Sequence, residues 1–217
     1  MSTGTHLPTL PLAVATGSRD RALVSRARQL TYLGLGWHVL EASVAIVAGV
    51  IAGSVALVGF GADSVVEAGA GLVVLWLVTG GRVNTGDAER RAQQLIAASF
   101  VLLAAYVTVV SARDLVGGHH PDASWIGVGL AAISLAVMPP LAVAKRRVAA
   151  ALGSSAAASE SRQTMLCAYL SAALLVGLLA NALVGWWWAD PIVALLIGAV
   201  ALREARDAWH GDSCTCC

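Results

Sequence analysis

The stretch from Ser54 to Val78 is apolar and long enough to cross a bilayer, yet it carries two carboxylates, Asp63 and Glu67. A spanning helix needs roughly 20 apolar residues. An ionisable side chain within one is costly and points to function. At i and i+4 the two acids share one helix face, a turn apart. In a low dielectric such neighbours repel, so they call for a cation between them or a shared proton. The alternative is a pair of buried acids satisfied by protonation or by nearby hydroxyls.

The rest of the chain suits the same solvent. Of its 217 residues 58% are hydrophobic and 12% charged, where a soluble domain carries roughly 25% charged residues. Six apolar segments, 31–53, 55–79, 93–113, 125–144, 162–185 and 188–204, are separated by turn or charge signals. The first two are parted only by Gly53-Ser54, a tight reversal that makes them antiparallel neighbours. The run 145–161, opening with Lys145-Arg146-Arg147, is expected to prolong the fifth helix. With the N-terminus inside, every Lys and Arg except Arg113 falls on the inner side, as the positive-inside rule asks. The expected fold is therefore all-α, a six-transmembrane-helix bundle with both termini cytoplasmic. Its parts are an N-terminal arm (1–29), the membrane domain (30–205) and a short tail (206–217). Trp186-Trp187-Trp188 reads as an aromatic belt, and Asp190-Pro191 as N-cap and first turn of the last helix.

Other polar residues lie at matching depths. His38 and Glu41, three apart, share a face of the first segment. At 1.5 Å per residue from the Gly53 turn, Glu41 lies ~18 Å down, Asp63 ~14 Å and Glu67 ~20 Å. Cys167, counted from Asn181, is ~21 Å down. It stands at i+4 from Gln163 on the fifth segment. Alone it is an inert small hydrophobe; opposite an acid pair it is a soft ligand that binds as thiolate. Two positions on each of two helices give four ligands, the usual number for zinc. The other cysteines, Cys214, Cys216 and Cys217, crowd the tail with His210 and Asp212. They form no disulfide framework and read as a metal-capture tail, a lipid-modified end or an idle terminus.

Glu41, Gly53-Ser54-Val-Ala-Leu, Asp63-xxx-Glu67, Gln163-Thr-xx-Cys167 and Trp188-Ala-Asp190-Pro191, in this order over residues 30–205, resemble the transmembrane part of the cation diffusion facilitator family of zinc and related metal transporters. The resemblance implies a metal site of Asp63, Glu67, Gln163 and Cys167 between the second and fifth helices, with alternating access and protons moving oppositely. Glu67 stands where the family commonly has aspartate, Gln163 where it has histidine or aspartate, and Cys167 where it has aspartate. Cysteine favours zinc, cadmium or cobalt over magnesium or manganese. The family's soluble domain after the sixth helix is not matched, so a divergent form without it is expected.

The reading is thus a divalent cation transporter, most simply proton-coupled zinc efflux, multi-pass in a bacterial plasma membrane. His38 and Glu41 serve as second shell or proton relay. A homodimer is expected, nucleic acid is not, and the chain is not an enzyme. Two other readings remain open. One is a non-transporting metal-binding or regulatory protein on the same scaffold. The other is a membrane enzyme with Cys167 as nucleophile, for which the segment offers no activating histidine.

Overall fold

The computed structural model describes residues 18–79, 86–153 and 155–210. They form six helices: α1 Ser18–Ala52, α2 Val55–Thr79, α3 Gly86–Gly117, α4 Trp125–Leu152, α5 Ser155–Val184 and α6 Ala189–His210. Five of them contain stretches long and apolar enough to cross a membrane: Ala22–Ala52, Val55–Val73, Ala97–Gly117, Trp125–Leu152 and Glu160–Val184. α6 has a shorter apolar stretch, bounded by Asp190 and by Arg203 and Glu204. Large apolar side chains point away from the bundle, among them Ile51, Leu102, Val116, Val176 and Leu183. Hydrocarbon solvates such a surface, and a helix satisfies its own backbone there. The chain is an integral, multi-pass membrane protein.

α1 pairs with α2 and α4 with α5, and the hairpins meet through α1 against α4 and α2 against α5. The four enclose a core whose fully buried side chains include Leu57, Phe60, Met138 and Leu174. α3 and α6 form a separate pair laid against α2, through Phe100, Val107 and Ala201 with Ala62 and Val66. The α1–α2, α3–α4 and α5–α6 connections gather at one end, here the loop face. The start of α1 and the end of α6 lie at the other, the terminal face.

Local chemistry sets these limits. Gly53, at φ 65°, makes the reversal between α1 and α2, in a left-handed region that glycine enters without a Cβ clash. Ser54 caps α2, its Oγ accepting from Leu57 N at 3.1 Å. α1 and α2 then run in close contact because a Cβ at Gly49 would lie 2.8 Å from Val58 N and one at Gly61 3.0 Å from Ile46 N. Small residues of this kind let membrane helices approach closely.

The structure corrects three expectations. α1 begins at Ser18, so residues read as part of the arm are helical. Lys145-Arg146-Arg147 belongs to α4, not to the fifth helix. α4 runs through Pro139 and Pro140 to Leu152 and stops at Gly153, at φ 61°, whose N–H reaches back to Ala149 and Ala150. Lys and Arg continue a helix well and the following alanines better still, so the charge run marks a membrane boundary and not a helix end. Asp190 lies within the first turn of α6, and its carboxylate instead serves the neighbouring helix. It accepts from Ser54 Oγ and, at 3.2 Å, from Ala56 N, completing the cap of α2 and tying α6 to it.

Candidate metal centre

The polar residues at depth meet on the axis of the α1–α2–α4–α5 bundle. Glu41 of α1 is fully buried. Its Oε2 accepts from Ser64 Oγ of α2 at 2.9 Å, and its Oε1 from Ser134 Oγ of α4. Cys167 of α5, also fully buried, points its Sγ at Glu41 Oε2 from 3.8 Å. One carboxylate thus gathers a hydroxyl from each of two helices and a thiol from a third. Its charge is compensated by hydrogen bonds, as a buried acid requires.

Glu67 is placed differently. His38 Nδ1 lies 3.2 Å from Glu67 Oε2 and 3.4 Å from Glu41 Oε2. Neither His38 Nδ1 nor Glu67 Oε2 has a partner in hydrogen-bonding alignment, although both are buried. The two atoms face each other at ion-pair distance. One ligand atom each from His38, Glu67 and Cys167 lie within 4.8 Å of one another, the group of this kind among the described residues. Nitrogen, oxygen and sulfur on three helices match the ligand types zinc accepts, at bonds of roughly 2.0–2.3 Å. Three protein ligands leave one coordination position for exchange, as catalytic zinc sites also do.

Glu67 and Cys167 therefore meet as the sequence suggests, but the third member of the group is His38, read beforehand only as an outer residue or relay. Asp63 is buried and Gln163 half-buried. Together with Glu67 and Glu204 they line a small gap among α2, α3, α5 and α6, walled otherwise by Phe100, Leu166, Leu170, Val200 and Ala201. The neighbour of Gln163, Thr164, is the more deeply buried, and it bonds Lys145. His38 shares a face with Glu41, a signal visible in the sequence. Which of the pair approaches Glu67 and which the serines depends on how α1 is rotated against α2 and α4. The roles of Ser64 and Ser134 carried no signal of their own.

The loop-face histidines serve packing. His120 meets Trp187 with the rings tilted by 38° and their centroids 4.9 Å apart, and His119 lies over Gly53, its Nε2 2.8 Å from where a Cβ would stand. Cys214, Cys216 and Cys217 lie outside the described residues.

Nitrogen, oxygen and sulfur donors thus converge on the axis of a helical membrane protein. The chain belongs to the cation efflux family: the family profile described as the cation efflux transmembrane domain matches residues 33–208. It is 26% identical over 187 residues to the uncharacterized transporter YdbO of Bacillus subtilis, covering 81% of this chain and 63% of that protein. It is 25% identical over 130 residues to the cation-efflux pump FieF of Shewanella oneidensis, covering 59% of this chain and 43% of that protein. The chain thus spans less than two thirds of the length of these curated relatives.

Proposed function

We propose that the chain transports a divalent metal cation, zinc foremost, outward from the cytoplasm in exchange for protons. Membership of the cation efflux family supports the cation, and the donor set supports zinc, cadmium or cobalt over magnesium or manganese. The observation that carries the reading is the convergence of His38 Nδ1, a Glu67 carboxylate oxygen and Cys167 Sγ from three helices. Here His38, Glu67 and Cys167 hold the ion, and Asp63 stands a turn away at the gap shared with Gln163. Glu41 is the positioning residue, fixing the thiol and the imidazole between α2 and α4. Thiolate and neutral imidazole are the binding forms, so loading expels protons, and protons returning to these groups favour release. The terminal face, rich in arginine, is the cytoplasmic one, and two copies are expected to work as a homodimer.

Zinc uptake into inside-out proteoliposomes tests the reading. Transport is expected with the unaltered chain and none with Glu67→Gln of equal folded content. Equal flux in both would remove the site from the pathway. Stoichiometric zinc binding without flux in the unaltered chain would instead favour a metal-binding regulatory protein on the same scaffold.

A further inference from the structure

A second buried polar group lies on the same axis, between the metal centre and the terminal face. Lys145 of α4 is 6% exposed and Glu160 of α5 is 7% exposed. The ammonium donates to Glu160 Oε1 at 2.8 Å and to Thr164 Oγ1 at 3.2 Å. The other two helices lie against the pair. A Cβ at Gly34 of α1 would stand 2.7 Å from Lys145 Nζ, and one at Gly71 of α2 would stand 3.5 Å from Glu160 Oε1. Gly34 is one turn from His38, Gly71 one turn from Glu67, and Thr164 one turn from Cys167. The pair therefore plugs all four helices directly below the three donors. The gap beside Asp63 reaches Glu67, but neither His38 nor Cys167 is part of its wall.

α4 also carries a place to bend. Pro139 and Pro140 stand inside it, between Ser134, which holds Glu41, and Lys145. A proline in a helix lacks an N–H and crowds the carbonyl four residues back. Here that frees the carbonyls of Leu135 and Ala136, and such sites are where helices kink. The part of α4 toward the loop face stays bound to Glu41 through Ser134, while the part bearing Lys145 has a hinge of its own. A long lysine side chain close to a membrane boundary reaches water readily once its helix leans outward.

We propose that Lys145 and Glu160 form a gate on the terminal-face side of the metal centre, opened when α4 bends at Pro139–Pro140 and withdraws the ammonium from Glu160 and from the Gly34 notch. Closed, it bars a cation by filling the axis and by keeping the Glu160 carboxylate engaged with the ammonium. Opened, it leaves the Glu160 carboxylate free on the path. The inference rests on the transport reading for its purpose, but the accessibility it controls is measurable without any metal.

The test uses the full chain in proteoliposomes with Cys214, Cys216 and Cys217 replaced by serine, leaving Cys167 as the single thiol, in metal-free buffer. The rate of Cys167 modification by a small charged methanethiosulfonate added to the terminal face is read by mass spectrometry. Lys145→Met and Glu160→Gln are each expected to raise it about tenfold or more, the effect of shifting a two-state equilibrium toward the open form. Gly34→Ala, which keeps both charges but fills the notch, is expected to raise it as well. Pro139→Ala with Pro140→Ala is expected to lower it below the unaltered rate. Unaltered rates in Gly34→Ala and in the double proline variant overturn the gate, even where the charge variants fail to fold. Rates that change as expected while zinc fails to protect Cys167 leave the gate standing and overturn the metal centre instead.

Discussion

Glu41 and Glu67 approach the same imidazole nitrogen, at 3.4 and 3.2 Å, but their other contacts separate their tasks. Glu41 accepts from Ser64, Ser134 and the Cys167 thiol, whereas Glu67 Oε2 stands at ion-pair distance from the imidazole with no aligned hydrogen bond. Glu67→Gln is therefore expected to abolish zinc binding in a calorimetric titration, while Glu41→Gln weakens it by about 10–100-fold, as loss of a ligand-orienting partner does. Equal losses in the two variants would contradict the division. At the loop face, Ser54→Ala removes the cap of α2 and the donor to Asp190 at once. About 1–2 kcal/mol of stability should go with it, visible as a lower melting temperature in detergent. At this scale the sequence showed which residues are polar at depth, because charge in an apolar run is conspicuous. It did not show their partners. His38 read as a supporting residue or proton relay because its direction is fixed by tertiary rotation of α1, and Lys145 looked like a boundary lysine because Glu160 lies on the next helix.

The hairpin of α1 and α2 depends on glycines at particular places and not on glycine content. A Cβ at Gly61 would press on the backbone of Ile46, and one at Gly49 on that of Val58, whereas one at Gly69 meets nothing within 4 Å. Gly61→Val should drive the two helices apart, giving a protein that aggregates on size-exclusion chromatography. Gly69→Ala should leave it intact and add up to about 1 kcal/mol in thermal unfolding, alanine being the better helix former. The sequence made the pairing of these helices legible because Gly53-Ser54 leaves no length for any other connection. The extent of α4 was less legible. Lys145-Arg146-Arg147 looks like an ending in an isolated sequence. In the structure the helix runs on to Leu152, and Lys145 finds a buried partner in Glu160.

For the whole molecule, the arrangement of a four-helix bundle with an α3–α6 pair at its side is not encoded in any one segment. Hydropathy marks out the apolar segments; which of them meet follows from small-residue faces and polar ties that hydropathy ignores. Metal should register at this scale too. A ligand bound to the folded state alone stabilises it by about 2.7 kcal/mol at a hundredfold excess over Kd. Zinc is accordingly expected to raise the melting temperature of the unaltered chain and to leave that of Cys167→Ser nearly unmoved. An equal rise in both would place the binding elsewhere.

The bond between Ser54 and Asp190 fastens α6 to α2 at the loop face. Further down, α3 grips α6, for a Cβ at Gly198 would stand 2.7 Å from Val107, and Ala201 and Ala205 share a buried cluster with Phe100 and Val107. Glu204 rides near the foot and lines the same gap as Asp63 and Gln163, so whatever widens or pinches that gap has to carry α3 along with α6.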